Sequence, residues 1–144
     1  MRELFREYEQ ALGVDLCFQG FAAELASLPG QYAPPRGRLY LAHVAEDIAG
    51  CAGLRPASET AAELKRLYVR AAFRGQQLGR RLAERAIADA HEIGYRAVVL
   101  DTLPSMTEAH ALYASLGFRE CAPYTASAVP GTQFLEKVLT MSPE

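Results

Sequence analysis

The chain reads as a mixed α/β fold, a sheet with helices packed on its faces, in one domain spanning residues 1–144. Apolar residues fall alternately at helical spacing and in short β-like runs, in the order helix, helix, three strands, helix, strand, helix, two strands. The length of 144 residues supports one core but no second lobe. No internal repeat, low-complexity tract or interdomain linker divides it.

Leu4, Phe5, Tyr8 and Leu12 make one stripe and predict a helix from Glu3 to Leu12, stopped by Gly13. Leu16, Phe21, Leu25 and Leu28 predict a second, ended by Pro29-Gly30. Beyond the loop Pro34-Pro35-Arg36-Gly37, strands from Arg38 to Ala45 and from Ile48 to Leu54 form a hairpin turning at Glu46-Asp47. A polar loop, Pro56 to Thr60, leads to a strand that ends in Leu67-Tyr68-Val69. Leu78, Leu82, Ala86, Ala90 and Ile93 keep helical spacing up to Gly94 and mark the clearest helix of the chain. Ala97 to Leu100 is apolar throughout, as a buried central strand is. Ser105 and Glu108 have the spacing of a capping box for a helix ending at Gly117, with Met106, Ala109, Leu112, Tyr113 and Leu116 along one face. Phe118 to Ala122 and Gln133 to Leu139 are the last strands, joined by a loop holding Pro123, Tyr124, Pro130 and Gly131.

Half the residues are apolar, the net charge is −2 and the pI is near 5.9. A nucleic-acid backbone binder normally carries a large basic excess, so no nucleic-acid partner is expected. Cys17, Cys51 and Cys121 are an odd number without CxxC spacing, and no secretory or membrane-spanning segment is visible, so a reduced, cytoplasmic protein without a membrane partner is expected. His43, His91 and His110 lie far apart with no ligand spacing, and no metal site is expected.

Against that mildly acidic background, Arg66, Arg70, Arg74, Arg80, Arg81 and Arg85 crowd one stretch. Glu63 to Arg81 reads as a strand ending at Val69, a basic connection, a glycine-flanked turn and a helix. The first turn of a helix leaves N–H groups without intrahelical partners and carries partial positive charge, which suits a phosphate. Arginine forks match phosphate oxygens better than lysine point charges do. The ligand expected here is polyanionic. The glutamates and aspartate at Glu84, Asp89 and Glu92 alternate with the later arginines as on a solvated face, so Arg74 and Arg80, which flank the turn, are the candidates for phosphate contact.

The segment Arg74-Gly75-Gln76-Gln77-Leu78-Gly79 resembles the acetyl-CoA-binding motif of the GNAT N-acetyltransferases, Arg/Gln-x-x-Gly-x-Gly/Ala, with Gln77 at the first glycine. A positive φ at Gln77 would cost about 1 kcal/mol. Ala109 to Phe118 is similar to a second family motif, A-x-x-L-Y-x-x-x-G-F, although Met106 stands where many members have an asparagine. The resemblance spans nearly the whole chain. It implies a mostly antiparallel twisted sheet of about six strands with a splayed parallel pair in its centre, the usual first strand being missing before Glu3. It implies acetyl-CoA as co-substrate, held by the backbone of Leu67, Tyr68 and Val69 and by Arg74, Gly75, Gln76, Gln77, Leu78, Gly79 and Arg80.

By the same resemblance Tyr113 protonates the leaving thiolate; a phenol ordinarily titrates near 10 and can donate at neutral pH. Tyr113 also falls on an apolar stripe, where a core tyrosine is the plain structural reading. A protonated acceptor amine needs a base or a water chain to take its proton, and Asp101 and Glu63 stand as near-equal candidates beside water, each also readable as an ordinary strand-end carboxylate. Tyr32, Tyr124 and the Pro34-Pro35 loop are candidates for the acceptor pocket.

The implied function is direct acetyl transfer from acetyl-CoA to a primary amine in a ternary complex. The alternative is an acyl-CoA-binding sensor or interaction module without chemistry. A dinucleotide enzyme would need a G-x-G-x-x-G turn after the first strand, which is not present. The acceptor is open among amino acids, polyamines, antibiotics, peptide N-termini and lysine side chains. An uncovered sheet edge makes a homodimer possible.

Overall fold

The computed structural model describes residues 3–4, 6–7, 28, 30–102, 107–124 and 132–139. Glu3, Leu4, Arg6 and Glu7 are helical, and the rest of the first expected helix lies outside the described residues. So do the second expected helix up to Leu28, the Ser105 end of the capping box, Met106 and residues 125–131.

The elements are β1 (Arg38–Val44), β2 (Asp47–Pro56), β3 (Ala61–Val69), α1 (Leu78–Ile93), β4 (Ala97–Thr102), α2 (Thr107–Ser115), β5 (Arg119–Glu120) and β6 (Gln133–Val138). They form a six-stranded sheet in the order β1-β2-β3-β4-β6-β5. Only β3 and β4 run parallel; the other neighbours are antiparallel. This is the mixed, mostly antiparallel sheet with a central parallel pair that the sequence implied.

The β1–β2 turn comes one residue earlier than expected. Val44 pairs with Asp47, so Ala45 and Glu46 make the turn, with Ala45 at φ 55. A left-handed residue at a two-residue turn matches the strand twist. The strand expected over Phe118 to Ala122 shortens to Arg119–Glu120. Phe118 turns inward at 5% exposure and meets Tyr113 edge to face, while Pro123 has no N–H to offer a ladder.

One face of the sheet is covered by the helices. Leu54, Leu64, Val98, Leu100 and Leu135 pack with Leu82, Ala83, Ala86 and Ala90 of α1 and with Tyr113 and Phe118. The small alanines let α1 lie close to the strands. Helix α1 ends where Gly94 takes φ 114 and donates back to Ala90 and His91, as a left-handed C-terminal cap does. On the opposite face the Gly30–Tyr32 turn lays the Tyr32 ring on Gly53, where a Cβ would stand 2.5 Å from the ring. Among the described residues no helix is long and apolar enough to cross a membrane.

Candidate active site

The parallel pair is short. Ala61 pairs with Ala97, Ala62 with Val98 and Glu63 with Val99, after which β3 runs on to Val69 without β4. The cause lies on the other side of β3. Its register with β2 slips between Cys51 and Gly53, and opposite that slip Arg66 adopts φ 58. An extra residue in one strand bends it and raises its twist, and here the bend carries β3 with β2 and away from β4. Cys51 pairs with Tyr68 and Gly50 with Val69; a Cβ on Gly50 would stand 2.5 Å from the Tyr68 carbonyl oxygen. Glycine is therefore needed for β2 to hold the splayed end. Among the described residues no strand pairs with the other edge of Leu67 to Val69.

The chain then makes a single 3-10 turn, Ala71–Phe73, and reaches the mouth of α1. Gly75 sits at φ 88 with open space around it. Gln77 is the N-cap, at φ 64 and ψ 20, and gives no side-chain hydrogen bond to the first turn. The first main-chain bond of the helix is donated by Arg81 to Gln77, so the helix geometry leaves the amides of Leu78, Gly79 and Arg80 directed out of its end. The left-handed strain expected at Gln77 is thus present. Replacing Gln77 with Gly should raise stability by about 1 kcal/mol, a melting-temperature rise of about 3–4 °C for a chain this size; an unchanged or lower value in thermal denaturation would contradict it.

Gly79 seats this turn against its neighbours: a Cβ there would lie 3.8 Å from Leu112 and 4.0 Å from Val69. The arginines divide as their surroundings dictate. Arg74 donates from Nε to the Val69 carbonyl at 3.1 Å, and Arg80 donates to Ser115 Oγ at 2.6 Å. Both remain beside the turn. Arg70 is committed to Glu7 and the Ile48 carbonyl, Arg85 to Asp89, and Arg66 is buried at 3% exposure.

On the sheet face opposite α1 the splay opens beside a buried charged cluster. Glu63, 4% exposed, accepts from Arg55 Nε at 2.9 Å and from the Tyr124 hydroxyl at 2.7 Å, and lies 3.6 Å from Lys65 Nζ. Burial pushes the Glu63 carboxyl up, but Lys65, Arg55 and Tyr124 together pull harder, and it titrates below its ordinary value. Lys65 moves down, driven first by burial and opposed by Glu63 and Asp101. Tyr124 moves up, through burial and then the Glu63 and Asp101 charges, and its ring meets Phe134 edge to face at 5.1 Å. Asp101 is half-buried, and its Oδ2 is fully enclosed without a hydrogen-bond partner among the described residues. The Cys51 thiol, pushed up to about 12 by burial, donates to the Arg66 carbonyl and stays protonated.

The sequence and structure comparisons agree with this geometry. Residues 1–118 match the model of the acetyltransferase (GNAT) family. An uncharacterized N-acetyltransferase of Schizosaccharomyces pombe is 37% identical over 92% of this chain and 82% of its own. The chain belongs to the GNAT acetyltransferase family. A GNAT acetyltransferase of Staphylococcus aureus superposes with TM-score 0.80 over 96% of this chain and 93% of its own, at 20% identity, a likeness of fold. A GNAT acetyltransferase of Elizabethkingia anophelis, solved with acetyl-CoA bound, is 27% identical, with TM-score 0.64 over 78% of this chain and 82% of its own.

For a GNAT acetyltransferase the residues named from sequence fall into two groups. Leu67, Tyr68 and Val69 line the splayed edge, and Arg74, Gly75, Gln76, Gln77, Leu78, Gly79 and Arg80 surround the helix mouth that follows it. A strand edge leading to exposed first-turn amides fits a ligand with amide groups at one end and a pyrophosphate at the other, as acetyl-CoA has. Tyr113 is 5% exposed and packed in the core that α1 and α2 share, as its plain structural reading has it. Asp101 and Glu63 lie together on the opposite sheet face, with different surroundings.

Arg55 and Lys65 were not singled out by sequence. Ala62-Glu63-Leu64-Lys65 alternates as a half-solvated strand does, and the charged positions therefore read as outward. The usable signal was Glu63 and Lys65 on one face of a strand already assigned to the sheet centre.

Proposed function

We propose that this acetyltransferase uses acetyl-CoA to acetylate a primary amine by direct attack in a ternary complex, within one domain spanning residues 1–144. The observation that carries the proposal is the splay: pairing of β3 with β4 ends at Glu63 and Val99, and the freed edge leads to the uncapped mouth of α1. Acetyl-CoA, when bound, supplies an activated thioester. Main-chain groups of Leu67 to Val69 align its extended arm, and one N–H there is placed for the oxygen that gains charge as the amine attacks; such a donor is worth about 3 kcal/mol at the barrier. The amides of Leu78, Gly79 and Arg80, with the Arg74 and Arg80 guanidiniums, take the pyrophosphate.

Tyr113 returns a proton to the leaving sulfur. Asp101 takes the acceptor's proton in preference to Glu63: Glu63 already accepts from Arg55 and Tyr124, and its carboxyl is held below the ordinary range. Asp101, whose enclosed Oδ2 has no hydrogen-bond partner among the described residues, is the better placed of the two. Pairing of two copies along the β1 edge, where Leu41 is exposed, belongs to the same proposal.

Gly79→Glu tests the cradle. A glutamate in the first turn favours the helix by propensity and dipole, by about 1 kcal/mol, while its charge opposes a pyrophosphate at the same amides. Titration with acetyl-CoA should show affinity lowered by at least about tenfold in a protein that thermal denaturation shows to be folded. Equal affinity would remove the helix mouth from the site.

A further inference from the structure

Lys65 puts a primary amine at the fork of the splay. Glu63 and Val99 are the last parallel pair, so Lys65 and Asp101, each two residues further along its own strand, stand across the opening from one another. The Asp101 charge is close enough to act on Lys65. Leu67, where the edge of β3 starts to line the groove, is two residues beyond Lys65, about 7 Å along the strand. A flexible four-carbon stem covers that distance.

The chain is sparing with lysine. Of its 15 basic residues only Lys65 and Lys137 are lysines, and every other cation from Arg55 to Arg85 is an arginine. Holding a buried carboxylate suits a guanidinium fork better than an ammonium, and Arg55 already serves Glu63 in that way at 2.9 Å. Lys65 pairs with the same carboxylate at 3.6 Å. What a lysine offers that an arginine does not is an amine that can lose its proton and act as a nucleophile. Burial favours that loss, moving Lys65 down from its ordinary value against the pull of Glu63 and Asp101.

We propose that Lys65 is a self-acetylation site, its amine attacking the thioester of acetyl-CoA held in the same groove. The proposal rests on the acetyl-transfer reading above and adds to it a substrate within the chain. Lys65 keeps its ion pair with Glu63 until its stem swings toward Leu67. Asp101 takes one proton from the ammonium, and the nitrogen lone pair bonds to the acetyl carbon. The carbon–sulfur bond breaks with its electrons on sulfur, which Tyr113 protonates. The second nitrogen proton returns to the Tyr113 oxygen through solvent, so the products are the Lys65 amide, coenzyme A thiol and one proton.

The test is incubation of the whole chain with acetyl-CoA and no added amine, followed over time by intact mass and peptide mapping. The primary amines of the chain are its α-amine, Lys65 and Lys137. Lys65 is 7% exposed, whereas Lys137 is partly exposed with its Nζ beside Gly117, past the end of α2. Uncatalysed acetylation from solution would therefore reach Lys137 first. Lys65 should instead be acetylated at least about 10-fold faster than Lys137, because reaction within one complex outruns encounter from solution. Its rate should not depend on protein concentration, and excess coenzyme A, which occupies the groove, should suppress it. Acetylation of Lys65 no faster than that of Lys137, a rate that rises with protein concentration, or one that coenzyme A leaves unchanged overturns the proposal. In each of those cases thiol release with added glycine, L-aspartate, benzylamine or spermidine leaves the acetyl-transfer reading standing. Neither self-acetylation nor thiol release with any of these amines overturns both.

Discussion

Tyr113→Phe should lower kcat by about 100-fold or more while acetyl-CoA affinity stays within about threefold, the effect of removing one general acid from a thiolate departure. The substitution deletes only the hydroxyl. The ring that meets Phe118 at 5.6 Å and fills the core between α1 and α2 is retained, so the fold loses about 1 kcal/mol, the net worth of one hydrogen bond. Steady-state thiol release, acetyl-CoA titration and thermal denaturation separate these effects. If the helix mouth and the splayed edge bind the cofactor and Tyr113 serves only packing, turnover would stay within about twofold of the parent, and the proton donor would have to be sought elsewhere.

Glu63→Leu should destabilise the protein by about 3–5 kcal/mol, because it leaves Lys65 and Arg55 without the carboxylate they surround in a buried site. For a domain whose whole stability is about 5–15 kcal/mol that is a large share. The double variant Glu63→Leu with Lys65→Met should recover part of it, with a coupling of about 1–3 kcal/mol. Urea denaturation of the two single variants and the double variant measures the cycle; additive losses would mean that the pair is not coupled.

The pH dependence has a definite sign. Burial raises the Glu63 carboxyl and its cationic neighbours lower it further than that, to a folded value below the ordinary 4.5. A group depressed in the folded state binds fewer protons there than in the unfolded chain, so its contribution is complete above the unfolded value and disappears as pH falls through the folded one. The parent should therefore lose stability on acidification below about pH 4.5 more steeply than Glu63→Leu.

Much of the architecture was open to reading because single positions decide it locally. Helix α1 runs from Leu78 to Ile93, as the spacing of Leu82, Ala86 and Ala90 and the stop at Gly94 require. The apolar run at Ala97 became the strand between β3 and β6, where both faces are covered. Boundaries that depend on neighbours moved: the hairpin turn shifted because Ala45, carrying a Cβ, accepts the left-handed region, and β5 shortened because Phe118 found a place in the core against Tyr113.

The helix-mouth half of the candidate site was also legible, since a turn with Gly75, Gln77 and Gly79 at a helix start is written in consecutive residues. The buried charged cluster was not. Lys65, Arg55, Tyr124 and Asp101 come from three strands and a loop, and an alternating strand gives no sign of whether its polar face meets water or another part of the chain. Nor could Glu63 and Asp101 be separated by sequence, because the difference between them is which groups reach their oxygens.

By itself the chain determined its elements, their order and the anion-attracting character of one helix end, because helical and strand periodicity and glycine turns act over a few neighbouring residues. The tertiary structure alone decided where β3 parts from β4 and which charges that opening buries. Those depend on a register slip at Arg66 against β2 and on contacts between residues far apart in the chain, where burial and charge pairing, rather than local propensity, set the free energy.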